Sequence, residues 1–96
     1  MKARDIKTVD VLTKKWFDKI NGNTYFAQII TINRGLKSHT EFCNGFQYGY
    51  GSFDYFAAKR IINKYNLKCD EFELLRRAKF CNTIINGCKK RELLNI

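Results

Sequence analysis

Residues able to act as nucleophile, general base or metal ligand are few in this sequence. Its one histidine, His39, stands four residues before Cys43, with Ser38 and Glu41 beside it. A Cys–His pair works when the imidazole accepts the thiol proton. No local signature of a cysteine hydrolase surrounds these two, and a strand or loop does not force residues at that spacing together. Cys43, Cys69, Cys81 and Cys88 are separated by 26, 12 and 7 positions, with no C-x-x-C knuckle to hold a tetrahedral metal. Gly45, Gly49 and Gly51 lack the Lys-Ser/Thr ending of a phosphate-cradling loop. The expectation is a non-catalytic protein with no metal and no cofactor.

The abundant chemistry is positive charge. Eighteen Lys and Arg oppose nine Asp and Glu, a formal net charge of +9 on 96 residues. A field of that size attracts polyanions and speeds encounter with them. The cations come in clusters: Lys14 and Lys15; Lys59, Arg60 and Lys64; Arg76, Arg77 and Lys79; Lys89, Lys90 and Arg91. Brought to one face, they would neutralise roughly 4–8 phosphates and make binding steeply salt-dependent. Singly, each cluster is an ordinary solvated face. Trp16, Tyr48 and Tyr50 are the aromatic candidates for stacking on bases, with Tyr25 beside them.

These residues have to be positioned by one small domain, because a chain of this length closes a single hydrophobic core. The apolar share is 45% and the aromatic share 15%, enough to fold without a disulfide staple. No stretch approaches the ~20 apolar residues of a membrane span, and the first residues lack a signal-peptide core. A cytoplasmic protein with reduced thiols is expected, although Cys81 and Cys88 could flank a turn.

Residues 6–18 read as a first strand, and Asn21-Gly22 is the preferred pair for a type I′ hairpin. Residues 24–33 are the clearest strand, and Arg34-Gly35 marks the next turn. A third strand spans about 40–50. Ser52 caps a helix whose apolar stripe is Phe53, Phe56, Ala57, Ile61 and Tyr65. Asp70 opens a second helix, with Glu73 placed to reach back to the cap. Residues 80–86 read as a last strand and Lys89–Leu94 as a short helix. The expected fold is α+β: residues 1–96 as a three- to four-stranded antiparallel meander on one main helix, with short C-terminal helices. An unpaired sheet edge makes a homodimer conceivable.

Strict alternation puts Phe42, Phe46, Tyr48 and Tyr50 on one face of the third strand, opposite Cys43, Gly45, Gln47 and Gly49. Packing under the helix at 52–66 is the expected use of those rings. Three glycines in such a strand also signal a bulge or a close approach of other atoms. Asn44–Tyr50 resembles the third-strand signature of RNA-recognition motifs, but Asn, Gln and Gly replace the basic, small and valine-like positions. In outline the meander and helix are similar to a double-stranded-RNA-binding domain, yet Ser52-Phe53-Asp54 stands where that family places lysines.

Residues 16–25, which read W-F-x-x-x-x-G-N-T-Y, and residues 46–51, which read F-x-Y-G-Y-G, give a fuller match. With both motifs the chain resembles a group of small uncharacterised bacteriophage proteins over about residues 14–65. The resemblance implies a phage or prophage protein acting in the cytoplasm of a host bacterium. Such proteins often serve takeover or anti-defence roles, including CRISPR inhibition. Two functions follow as expectations. One is a nucleic-acid-binding accessory protein using its basic clusters on RNA or DNA. The other is a non-catalytic inhibitor that covers an acidic surface of a host protein or ribonucleoprotein.

Overall fold

The computed structural model describes all 96 residues. A 3-10 turn (Ala3–Asp5) leads into β1 (Thr8–Asp18), β2 (Asn23–Ile32) and β3 (Thr40–Tyr48). Helices α1 (Phe53–Tyr65) and α2 (Glu71–Arg77), strand β4 (Lys79–Ile85) and helix α3 (Lys90–Leu94) complete the chain. The fold is α+β, and the element order is the one read from the sequence.

The sheet departs from expectation in its direction. Its strand order is β3-β2-β1-β4, and β4 runs parallel to β1, so the sheet is mixed rather than antiparallel. The cause lies in the connection from β3 to β4. Helix α1 starts where β3 ends and returns along the sheet over 13 residues, about 20 Å at the helical rise. Helix α2 then delivers the chain to the start of β1, where Lys79 pairs with Thr8. A crossover that long, built of helices, is what parallel pairing requires.

Helices lie on both faces of the sheet, α1 and the short α2 on one and the short α3 on the other. Val9 and Val11 of β1 and Ile30 and Ile32 of β2 bury against Ala57, Ala58 and Ile61 of α1 and Leu74 of α2. Burying each such Val, Leu or Ile contributes roughly 1.5–3 kcal/mol. On the opposite face α3 packs Leu93 against Ala27, with Cys88, Trp16, Tyr25 and Phe46 around them.

Within the helix-covered face runs a row of polar side chains crossing all four strands. The Gln28 amide donates to Thr13 Oγ1 at 3.1 Å and to the Phe53 carbonyl at 2.9 Å. Asn44 donates to Gln28 Oε1 at 2.9 Å, and Thr13 donates to Asn82 at 3.1 Å. Each group is satisfied, so the row ties strand register to the start of α1 without an unpaired dipole.

A bulge decides where the aromatic residues of β3 point. Gln28 pairs with Asn44 but Phe26 pairs with Gln47, so Gly45 and Phe46 together oppose Ala27. One extra residue reverses the alternation. Phe42 therefore packs toward α1, while Phe46 stacks on Tyr25 on the other face, with ring centroids 5.1 Å apart and an interplanar angle of 8°. The single aromatic face expected for Phe42, Phe46, Tyr48 and Tyr50 is not formed. Beyond the strand, Gly49 is buried so tightly that an added Cβ would lie 2.6 Å from a Phe26 ring carbon.

The caps follow local rules. Ser52 Oγ accepts from Tyr55 N–H at 3.3 Å and Asp70 Oδ1 from Glu73 N–H at 2.8 Å. Glu73 does not return the bond to the Asp70 backbone; its carboxylate pairs with Arg77 at 3.3 Å instead. The β1–β2 connection is likewise not a two-residue type I′ turn. Asp18 pairs with Asn23 across a four-residue loop in which Gly22 takes positive φ and Asn21 does not. The Asp18 carboxylate organises that loop by accepting from Ile20 N–H at 3.0 Å and from the Asn21 amide at 2.8 Å.

Candidate nucleic-acid interface

Three groups of cations emerge, and they do not share a face. The first gathers at the end of the sheet where β1 turns into β2. The Trp16 ring stacks on Tyr25 at 5.4 Å, Tyr25 stacks on Phe46, and Tyr48 meets Tyr25 edge-on at 5.7 Å. Lys90 of α3 holds its ammonium 5.8 Å from the Trp16 centroid and 6.0 Å from that of Phe46. Around the end of the sheet, Lys15 sits 5.5 Å from the Tyr50 ring and 5.4 Å from Phe53. All four distances are within cation–π range. Lys89 lines a hollow here with Lys15, Trp16 and Asn86.

The sequence folds this way for identifiable reasons. Period-two alternation aims Lys14 and Trp16 at the α3 side and Lys15 at the α1 side. The backbone bond from Cys88 N–H to the Lys15 carbonyl, 3.0 Å, then pins the last segment to β1 and brings Lys89 and Lys90 beside the rings. Nearby, the Asn21 amide holds Asp18 below the ordinary carboxylate range against a smaller desolvation cost, and Lys90 adds to the lowering. Burial, reinforced by Glu92, pushes the Cys88 thiol up, so it stays protonated.

Tyr48 and Tyr50 are the rings left open: 66% and 78% of their surface is exposed. Partly covered Trp16, Tyr25 and Phe46 form the wall behind Tyr48. Tyr25 was already a stacking candidate in the sequence, whereas Phe46, expected to pack under α1, joins the wall only because the bulge turns it to the other face.

The second group lies along α1 on the other face of the sheet. Arg60 donates to the Cys43 carbonyl at 3.2 Å and stands 5.4 Å from the Phe42 centroid, while Lys64 stands 4.9 Å from the same ring. Both cations are thus occupied in covering the β3 edge, a device that discourages pairing of that strand with another chain. Lys59 is exposed alongside. Arg76, Arg77 and Lys79 form part of the third group, at the end of the sheet far from the aromatic wall. Sequence reading missed the partners that join Arg77 there, Lys2, Arg4 and Lys68.

Only Arg34 (with Asp10, 3.2 Å) and Arg77 (with Glu73) form ion pairs, so sixteen of the eighteen Lys and Arg have none. His39 and Cys43 share no hydrogen bond, and Cys81 is exposed on the sheet while Cys88 is buried and donates to the Ile85 carbonyl at 3.5 Å. No helix is long and apolar enough to cross a membrane. No known protein family, curated protein or solved structure matches the chain.

Proposed function

We propose that this protein binds single-stranded nucleic acid without transforming it, using the hairpin end of the sheet. One observation carries the reading. Exposed Tyr50 stands 5.5 Å from the Lys15 ammonium, and exposed Tyr48 packs edge-on against Tyr25, in the aromatic wall that Lys90 covers at Trp16 and Phe46. Open rings accept the faces of unpaired bases, and unpaired ammonium groups hold the phosphates between them. A duplex hides its base faces, so stacking on these tyrosines favours single strands. The resemblance to small phage proteins is consistent with an accessory role in an infected cell.

The test is a mobility-shift series with single- and double-stranded RNA and DNA at two salt concentrations. The reading expects single strands to bind more tightly and affinity to fall steeply with salt. Absence of any shift at low salt sinks it.

A second reading, an inhibitor that docks on an acidic surface of a defence enzyme or ribonucleoprotein, draws on a different feature. The tip of the hairpin carries Ile20 at 93% exposure and Phe17 at 55%, next to Lys19. Exposed apolar residues rimmed by cations suit a protein partner better than a phosphate backbone. Replacing Ile20 by Ser separates the readings: nucleic-acid binding through Tyr48 and Tyr50 is unaffected, whereas docking through the tip is weakened.

A further inference from the structure

At the opposite end of the molecule the 3-10 turn, the end of α1 and the start of α2 enclose a hollow of about 470 Å³. Its size falls within the range of small-molecule sites. Lys2, Arg4, Lys68 and Arg77 line it, against the single carboxylate of Glu73, which is already paired with Arg77. Its apolar lining comes from Met1, Ala3, Tyr65 and Leu67, with Cys69 between Lys68 and the α2 cap.

The surrounding groups are consistent with an anion. The end of a helix normally presents carbonyl oxygens that repel negative charge. Of the last four α1 carbonyls, that of Ile62 accepts from both Asn66 N–H and Leu67 N–H, the latter at 3.1 Å, as the chain turns through left-handed Asn66, and the cations have to outweigh the other three. Asp5 faces its own turn, accepting from Lys2 N–H at 2.9 Å. Asp70 is committed to the Glu73 N–H. Lys2, Arg4 and Lys68 are exposed and without ion-pair partners, so their charge is free for a ligand.

We propose that this hollow binds a phosphate monoester attached to a planar base: the cations take the phosphate, and Tyr65 with Leu67 takes the base. That chemistry has two sources, a free mononucleotide or the 5′-phosphorylated end of a strand. The site is separated from the aromatic wall by the length of α1 and does not depend on it.

Two readouts test the proposal on the full chain. The first is calorimetric titration with adenosine 5′-monophosphate, adenosine and inorganic phosphate. The monophosphate is expected to bind at least about tenfold more tightly than either fragment, and the Arg4→Glu/Lys68→Glu variant to lose about tenfold in affinity. Those two side chains are exposed, and unchanged circular dichroism confirms that the variant folds. The second is alkylation by iodoacetamide, resolved by residue. The monophosphate is expected to protect Cys69 while leaving exposed Cys43 and Cys81 as reactive as before. Comparing 5′-phosphorylated with 5′-hydroxyl oligonucleotides assigns the source: a preference for the phosphorylated end identifies a strand, and its absence identifies the free nucleotide. Equal binding of adenosine and its monophosphate overturns the proposal. So does inorganic phosphate binding as tightly as the nucleotide, or unprotected Cys69 at saturation. A Lys90→Glu variant that keeps monophosphate affinity while losing oligonucleotide binding shows the two sites to be separate.

Discussion

The two faces of the sheet are built for different ends. The face under α1 and α2 is closed, with Val9, Val11, Ile30, Ile32 and Ile61 sealed from solvent and a fully satisfied polar row crossing beneath the helix start. The other face has a helical cover only at one end, where α3 spans five residues. There the rings of Trp16, Tyr25 and Phe46 are partly covered, and Lys90 lies over two of them. Stability is concentrated on one face, and the chemistry available to a partner gathers at the hairpin end, where both faces open. Substitutions on the first face should therefore unfold the protein, and substitutions at the hairpin end should change binding while leaving folding nearly intact.

The largest effect expected is for Ile61→Ala. Removing a fully buried branched side chain beneath α1 costs about 2–5 kcal/mol by transfer and cavity terms together, read as a lower midpoint in urea. Gln28→Ala should follow at about 1–3 kcal/mol, because Thr13, Asn44 and the Phe53 carbonyl each lose a partner inside the core. A loss below about 0.5 kcal/mol for either would break the contrast between the faces.

Tyr48→Ala and Tyr50→Ala act at the open hairpin end, Tyr48 beside Tyr25 on the α3 face and Tyr50 beside Lys15 where the end of the sheet meets α1. Each is expected to weaken single-strand binding by about 1–3 kcal/mol through lost stacking, measured by fluorescence anisotropy of a labelled oligonucleotide. Their unfolding midpoints should scarcely move, since both rings are mostly exposed. A large stability loss with unchanged affinity would reassign them to structure.

The smallest effect is one of pH. The buried Cys88 thiol keeps its proton to higher pH than it would in the unfolded chain. Its stabilising share is complete below the ordinary thiol pKa of about 8.5 and is lost as pH climbs above it. Between about pH 7.5 and 9.5, the wild type should lose stability more steeply than Cys88→Ser. Equal slopes would place the thiol in contact with water.

What was legible in the sequence was local. Ser52 and Asp70 announce their helices because a cap is decided within four residues. The period-two runs place β1 to β3 for a similar reason. The direction of β4 was not legible, since nothing in residues 79–85 records how far α1 and α2 carry the chain. The bulge at Gly45-Phe46 was signalled by the glycines as a class, but its position depends on which residue faces Ala27 across the strand. Strict alternation therefore put Phe46 and Tyr48 on the wrong side. The cation clusters were visible as runs. That Lys90 meets Trp16, or that Lys2 and Arg4 meet Lys68 and Arg77, is a product of the fold alone.

The central claim is that the hairpin end, and not the α1 ridge, holds phosphates. It is tested most directly by measuring single-strand affinity against salt for two triple variants. In Lys15→Ala/Lys89→Ala/Lys90→Ala the slope of log K against log salt should become shallower by about 2, at ~0.7 per lost phosphate contact. In Lys59→Ala/Arg60→Ala/Lys64→Ala the wild-type slope should persist. Equal loss of slope in both variants, or a loss confined to the α1 variant, would contradict the assignment.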